Sequence, residues 1–346
     1  MHSVLRRALA IAGAAVLTAF LATTAHSGWT DSPKVKALYE AAKKEGKVIV
    51  WGTHPREVNW IPAAFEKHFP GIAVEFLGDN DIAVKAIAEA RAGRHQIDVF
   101  WSSLTGTLPV AQRDLTAPSD WSLFGVDPRN TAFDGKMGFT SNIVYVIIYN
   151  KKLMNEADVP LKWAQTADER LKGKATSSSF LLPRLVGALA LAWGEDKALA
   201  FARDLRDKTG VLLTRAPRES LLQSGERIIA IAEIDSQARH YIAQGLPVGY
   251  VVPEPVVMGQ FGASVMKGAP HPNAARLLAG FLASVEGKRL REKATDQLDY
   301  GPTAENVLAR KIHGGELQVV FDRTDNMVAR EALFGKAAAI LTGQTP

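Results

Sequence analysis

Between Pro33 and Trp101 the chain alternates three times between an amphipathic helical stripe and a short apolar strand, and that alternation leaves few folds open. Val35, Leu38, Tyr39 and Ala42 recur at helical spacing, and GKVIVWG follows as a short buried strand closed by Gly52. Ile61, Ala64, Phe65 and Phe69 form the next stripe, ended by Pro70 and Gly71, with IAVEF as the strand after it. Ile82, Ala86, Ile87 and Ala90 form the third, ended at Gly93 and followed by DVFWSS. Successive units of this kind pair their strands in parallel and cover both faces of the sheet with helices. Ligands of such open sheets bind beyond the carboxyl ends of the strands.

The pattern then starts again. IVYVIIYN, from Ile143 to Asn150, reads as a central strand. GKATSSSF reads as strand then loop, Leu181 to Trp193 and Asp196 to Asp207 as helices, VLLTR as strand, Glu219 to Gly225 as a short helix and IIAIAEI as strand. VGYVVPEP closes this set, with two prolines suited to a crossing segment. Pro270 to Val285 is helical, with Ala274, Leu277, Leu278, Phe281, Leu282 and Val285 on one face and Pro272 and Asn273 as entry signals. The expected fold class is therefore α/β, with two open, mainly parallel sheets flanked by helices rather than one long sheet.

Residues 1–27 are set apart as a secretory signal. Arg6 and Arg7 precede an uncharged run from Ala8 to Ala22, and Ala25 and Ser27 are the small residues of a cleavage site near Ser27. That run is shorter than the roughly 20 residues of a membrane helix, and no other stretch approaches that length. The chain has no cysteine, which excludes disulfides, thiolate metal sites and a lipid-modified cysteine, and points to a periplasmic location. Net charge is +5, and without Arg6 and Arg7 the 39 remaining basic residues face 36 acidic ones. With no basic block in the sequence, nucleic acid is not an expected partner. The chain length exceeds one typical domain.

Four segments, EAAKKEGKVIVWGTHPR, FEKHFPGIAVEFLG, IDVFWSS and ASVMKGAPHPNAARLLAGFLASVEGK, occur in an order that resembles the type II periplasmic solute-binding proteins of the ferric-iron, thiamine and phosphonate branch. The last is the most specific, because APHPNAA, a helix and S-x-E-G-K follow one another at the expected distance from the carboxyl end. The resemblance implies two lobes joined by crossing hinge strands, residues 28–149 plus 257–298 forming one and 150–256 plus 299–346 the other. It also implies a monomer that performs no chemistry, needs no cofactor, binds a solute in the interlobe cleft and delivers it to an inner-membrane ABC permease with its ATPase. Closure about a hinge is a known mode for such receptors.

Polar groups at strand ends are the candidate ligand contacts. His54 and Arg56 follow the first strand, Ser102 and Ser103 the third, and Ser141 and Asn142 precede the crossing strand. Ser177, Ser178 and Ser179 follow the first strand of the second unit, Arg215 follows VLLT, and Glu233, Asp235 and Ser236 end IIAIAEI. Serine hydroxyls and helix-start N–H groups receive anions, although each serine is equally the residue type that caps a helix. Arg218 and Arg239 read as exposed helical residues. Trp51, Trp101, Tyr145 and Tyr149 read more as core than as a flat wall for a ring.

Departures from the resembled family bear on the ligand. Its ferric-binding members have adjacent tyrosines where this chain has Asp235 and Ser236, and often a carboxylate where it has Ser103. Trivalent iron favours anionic oxygens, so a solute bearing phosphate, phosphonate or carboxylate fits better, with no metal site assigned and ferric iron or an iron chelate as the alternative. An exported hydrolase is the rival of another class, but no G-x-S-x-G is present. A ligand-presenting partner of a membrane sensor kinase would look the same in sequence.

Overall fold

The computed structural model describes residues 28–52, 59–78, 81–295, 297–321 and 323–344. The signal segment and the candidate contacts His54 and Arg56 lie outside the described residues. Helix α1 (Pro33–Glu45), strand β1 (Lys47–Gly52), α2 (Ile61–His68), β2 (Ala73–Gly78), α3 (Ile82–Arg91) and β3 (Val99–Ser103) follow in the expected order. Strand β1 pairs in parallel with both β2 and β3. One face of this sheet buries Val35, Val50, Phe65, Phe69, Trp101 and Phe281. The other buries Trp51, Ile82, Ala86, Phe100 and Val110, the last from α4 (Leu104–Ala111). Trp51 and Trp101 are thus core residues.

After the short strands β4 (Thr116–Ala117) and β5 (Thr131–Ala132), β6 (Met137–Asn150) runs for 14 residues, all of them buried. It is longer than the apolar run alone implies, because Thr140, Ser141 and Asn142 continue the strand through a polar stretch. Then come β7 (Ala175–Ser178), α5 (Leu181–Trp193), α6 (Glu195–Asp204), β8 (Leu212–Thr214), α7 (Glu219–Ser224), β9 (Ile229–Ile234), α8 (Asp235–Ala243) and β10 (Val248–Val251). Strand β7 lies in parallel between β8 and β9. The chain returns along β11 (Val256–Met266), α9 (Pro272–Ala283), α10 (Val285–Thr295), α11 (Val307–His313), β12 (Val319–Phe321) and α12 (Met327–Leu341).

Two strands cross between the halves, antiparallel to each other; β6 is also antiparallel to β9 and β11 to β3, while β11 takes β12 in parallel. Strand β6 pairs with β11 from Gly138 to Val144 and with β9 from Tyr145 to Tyr149. Its first half therefore belongs to one sheet and its second half to the other. The hydrogen-bonded path is β2-β1-β3-β11-β6-β9-β7-β8. Sequence patterning does not reveal β11, because Gly259, Gln260 and Gly262 interrupt its apolar run. Gly262 is required: a Cβ there would lie 2.5 Å from the Gly138 carbonyl oxygen and 2.6 Å from Met137, just where the β6–β11 register shifts.

A buried polar tether fixes the crossing strand from behind. Asn142 Nδ2 donates to Asp299 Oδ1 at 3.1 Å, and its Oδ1 accepts from the Tyr300 N–H at 2.8 Å. The Tyr300 hydroxyl donates to Asp235 Oδ2 at 2.5 Å, which also accepts from Arg239 Nη2 at 2.7 Å. Asp235 Oδ1 accepts from the Val144 N–H at 3.3 Å. Burial, followed by the charge of Asp235, pushes the Tyr300 phenol well above its ordinary range, so it remains a donor.

Helix α12 closes the second half by packing on α5 and α6 through Leu333, Ala337, Ile340 and Leu341. It approaches α5 at Gly187, where a Cβ would stand 3.2 Å from the Arg330 carbonyl oxygen. Gly262→Ala should lower unfolding free energy by about 1–3 kcal/mol in denaturant titration, because backbone rather than a flexible side chain must give way. Tyr300→Phe removes one bond to a buried carboxylate and should cost about 1.5–3 kcal/mol by the same measurement.

Candidate functional site

The strand ends of the two halves meet around the crossing strands. On the first side, Ser103 caps α4, its Oγ accepting from the Gly106 N–H at 3.1 Å and lying 3.1 Å from Thr105 Oγ1. Ser102 is buried beneath the same turn, so close that a Cβ on Gly106 would lie 2.4 Å from its Oγ. Ser103 on β3, Phe261 on β11 and Ser141 on β6 are cross-strand partners in one row. Side chains in such a row share a face. Ser141 Oγ is buried with no hydrogen-bond partner among the described residues, an arrangement that costs about 1–3 kcal/mol where nothing else satisfies it. Phe261 packs against the cores of both halves and sits 5.7 Å from the Trp101 ring, so this row lies between the two cores and is the candidate floor of a site.

On the second side, Ser178 Oγ accepts from the N–H groups of Phe180 and Leu181, each at 3.2 Å, and so starts α5. Ser179 is half-buried, and its N–H donates to the Thr214 carbonyl at 3.1 Å. That bond places Arg215, the next residue after β8, beside Ser179. Arg215 is exposed and has no hydrogen-bond or ion-pair partner among the described residues. Ser236 is half-buried on the first turn of α8.

Four of the sequence candidates are spent inside the fold. Ser177 is fully buried and donates its hydroxyl to the Ile231 carbonyl at 2.5 Å. Asn142 and Asp235 belong to the tether already described, and Asp235 is 0% exposed. Glu233, also 0% exposed, takes both nitrogens of a guanidinium fork, Arg218 Nε at 2.6 Å and Nη2 at 2.8 Å. Arg218 and Arg239, which read as exposed helical residues, are instead the partners that make these two carboxylates tolerable. Burial is the largest influence on Arg218 and opposes its charge, but its hydrogen bonds to Glu233 and the attraction of nearby negative charge, that of Glu233 first, together outweigh burial and raise its pKa. An ionised carboxylate is buried only when paired in this way.

The structure adds a group that sequence reading misses. Arg184 lies on the first turn of α5 and donates Nη1 to Glu331 Oε1 of α12 at 2.8 Å. The same nitrogen reaches Thr105 Oγ1 on α4 at 3.4 Å, a bond from the second half to the first. An arginine alone in LLPRLVGALALAW reads as the polar face of a helix; only the folding of α12 against α5 brings it to the rim. Tyr145 is buried, and burial pushes its phenol up, so it faces Arg184, Arg330 and Glu331 as a neutral group.

The chain matches the family model described as bacterial extracellular solute-binding protein over residues 60–314. No curated protein matches it. Among solved structures it is similar to iron-bound HitA from Pseudomonas aeruginosa, with a TM-score of 0.71 and 16% identity, over 85% of this chain and 99% of that one. It is similar to the substrate binding protein of the ABC transporter from Agrobacterium tumefaciens, with a TM-score of 0.71 and 17% identity, over 85% and 94%. AfuA from Actinobacillus pleuropneumoniae, with exogenous fructose-6-phosphate bound, gives 0.69 and 18%, over 86% and 99%. At these identities the likeness is one of fold, the type II periplasmic binding protein architecture expected from the sequence. With the family model spanning most of its length, and with that fold beneath it, the chain belongs to the bacterial extracellular solute-binding proteins.

Proposed function

We propose that this chain is the periplasmic receptor of an ABC importer, closing on a small organic anion and handing it to an inner-membrane permease with its ATPase. The observation that carries the ligand class is the chemistry of the rim. Ser103, Ser178, Ser179 and Ser236 stand at helix starts, with Arg184 reaching Thr105 near Ser103 and Arg215 next to Thr214, which pairs with Ser179, whereas Glu233 and Asp235 are paired with arginines inside the protein. Hydroxyls, helix-start N–H groups and guanidinium forks are the donors that carboxylates, phosphates and phosphonates require.

Ferric iron is the second reading, favoured by the likeness to iron-bound HitA. A trivalent ion calls for several anionic oxygens. Among the described residues no group of three or more His, Asp or Glu side chains is placed to hold a metal, and the carboxylates nearest in sequence are engaged by Arg218 and Arg239. The sugar phosphate bound to AfuA shows that a protein similar in fold accommodates an organic anion.

Thermal-shift screening of the chain without residues 1–27 against ferric citrate, thiamine, phosphonates, sugar phosphates and dicarboxylates tests this reading. An organic anion should raise the melting point, a ligand at about 100 times its dissociation constant adding roughly 2.7 kcal/mol. Arg215→Ala should abolish the shift while leaving the unliganded melting point unchanged, since Arg215 is exposed. Tight ferric binding with no response to any organic anion would overturn the ligand class.

A further inference from the structure

Helix α12 is not confined to the second half. Its first residue, Met327, is fully buried in a small cluster with Leu104 of α4 and with Met137 and Phe139 of β6, on the side of the first sheet. Its later turns lay Leu333, Ala337, Ile340 and Leu341 on the core that contains α5 and α6. Just before the helix, Asn326 Nδ2 donates to the Phe321 carbonyl at 3.2 Å, which ties its start to β12 and so to the crossing strand β11.

Glu331 stands four residues after Met327, on the same side of the helix. It accepts from Arg184 Nη1 of α5 at 2.8 Å, and that nitrogen also reaches Thr105 Oγ1 of α4 at 3.4 Å. The Arg184 guanidinium carbon lies 4.4 Å from the Phe180 ring centroid and 4.8 Å from that of Phe334, so two rings hold the link in place. Gly187 of α5 admits the α12 backbone, since a Cβ there would lie 3.2 Å from the Arg330 carbonyl oxygen and 3.3 Å from the Phe334 nitrogen. The three helices therefore meet in a closed ring: α12 touches α4 through Met327 and α5 through Glu331, and α5 returns to α4 through Arg184. Both contacts on α4 fall on consecutive residues, Leu104 and Thr105, of the turn that Ser103 caps. The halves cannot part at this turn without withdrawing Met327 from its cluster or breaking the Arg184 link, and emptying a buried methionine site is unfavourable.

We propose that α12 is a clasp across the joint between the halves, which holds them together before any solute arrives. Met327 is its apolar catch, and the chain from Glu331 through Arg184 to Thr105 is its polar one. Two crossing strands alone leave a hinge free to bend; a third contact to one side of them resists bending and sets how often the halves stand open. The clasp belongs to the joint and not to the solute, so it stands for an organic anion and for ferric iron alike.

The chain has no cysteine, so a nitroxide pair on Val84→Cys of α3 and Gln223→Cys of α7, both exposed, reads the distance between the halves by pulsed dipolar spectroscopy with no solute added. The chain without residues 1–27 should give one dominant distance. Thr105→Val and Glu331→Ala should each raise the ratio of open to closed molecules by about threefold to tenfold, the share of one hydrogen bond. Met327→Ala should raise it by about thirtyfold or more. Leu333→Ala, on the same helix but packed in the second core alone, should lower the melting point and leave the distance unchanged. Wild-type distances in Thr105→Val, Glu331→Ala and Met327→Ala together would overturn the clasp, as would opening by Leu333→Ala as wide as by Met327→Ala. A wild-type chain that populates open and closed forms equally overturns it too. If circular dichroism shows Met327→Ala unfolded, the two polar variants decide, and wild-type distances in both overturn the inference.

Discussion

The pairing of β6 with β11 is the constraint on which the molecule depends. Strand β6 is shared between two sheets, and β11 sends Val257 into one core and Ala263 and Val265 into another, so the cores of the two halves are built on the same pair of strands. The bulge at Phe261 and Gly262 reconciles the registers, and the absence of a side chain at Gly262 lets the Gly138 carbonyl approach. Bulges bend and twist a strand, which is how one ribbon serves two sheets inclined to each other. The row of Ser103, Phe261 and Ser141 lies at this bend, between the cores.

Burial sorts the polar residues around that floor into two kinds. Asp235 and Asn142 bind the crossing strand to Tyr300 and Asp299, and Glu233 is neutralised by Arg218. These groups are consumed within the fold, so Glu233 and Asp235 have their charge met by arginines rather than offered to a solute. A buried donor or acceptor left without such a partner carries a desolvation cost.

The repeated helix and strand units are legible in the sequence because each has a local cause. Gly46 takes φ +74° at the end of α1, and the strands are short apolar runs closed by turn residues. Strand β11 is not legible, since its glycines and Gln260 answer to a neighbour more than 100 residues away in sequence. The site was half readable. Serines recur at strand ends, yet position alone cannot separate Ser179, which is half-buried, from Ser177, whose hydroxyl is consumed by Ile231. The Asp235–Arg239 spacing of four residues is a helical ion-pair signal that argues for a structural role, and it was available from the sequence. Arg184 was not, because its partners Glu331 and Phe334 arrive from the far end of the chain.

Helix α12 supplies Glu331 and Phe334 to the rim and ends at Leu341, seven residues beyond Phe334. At 1.5 Å per residue that last turn lies about 10 Å along the helix axis from Phe334. A spectroscopic label on it would ride on the same helix that holds Arg184 through Glu331, and so would report any shift of α12 against α5.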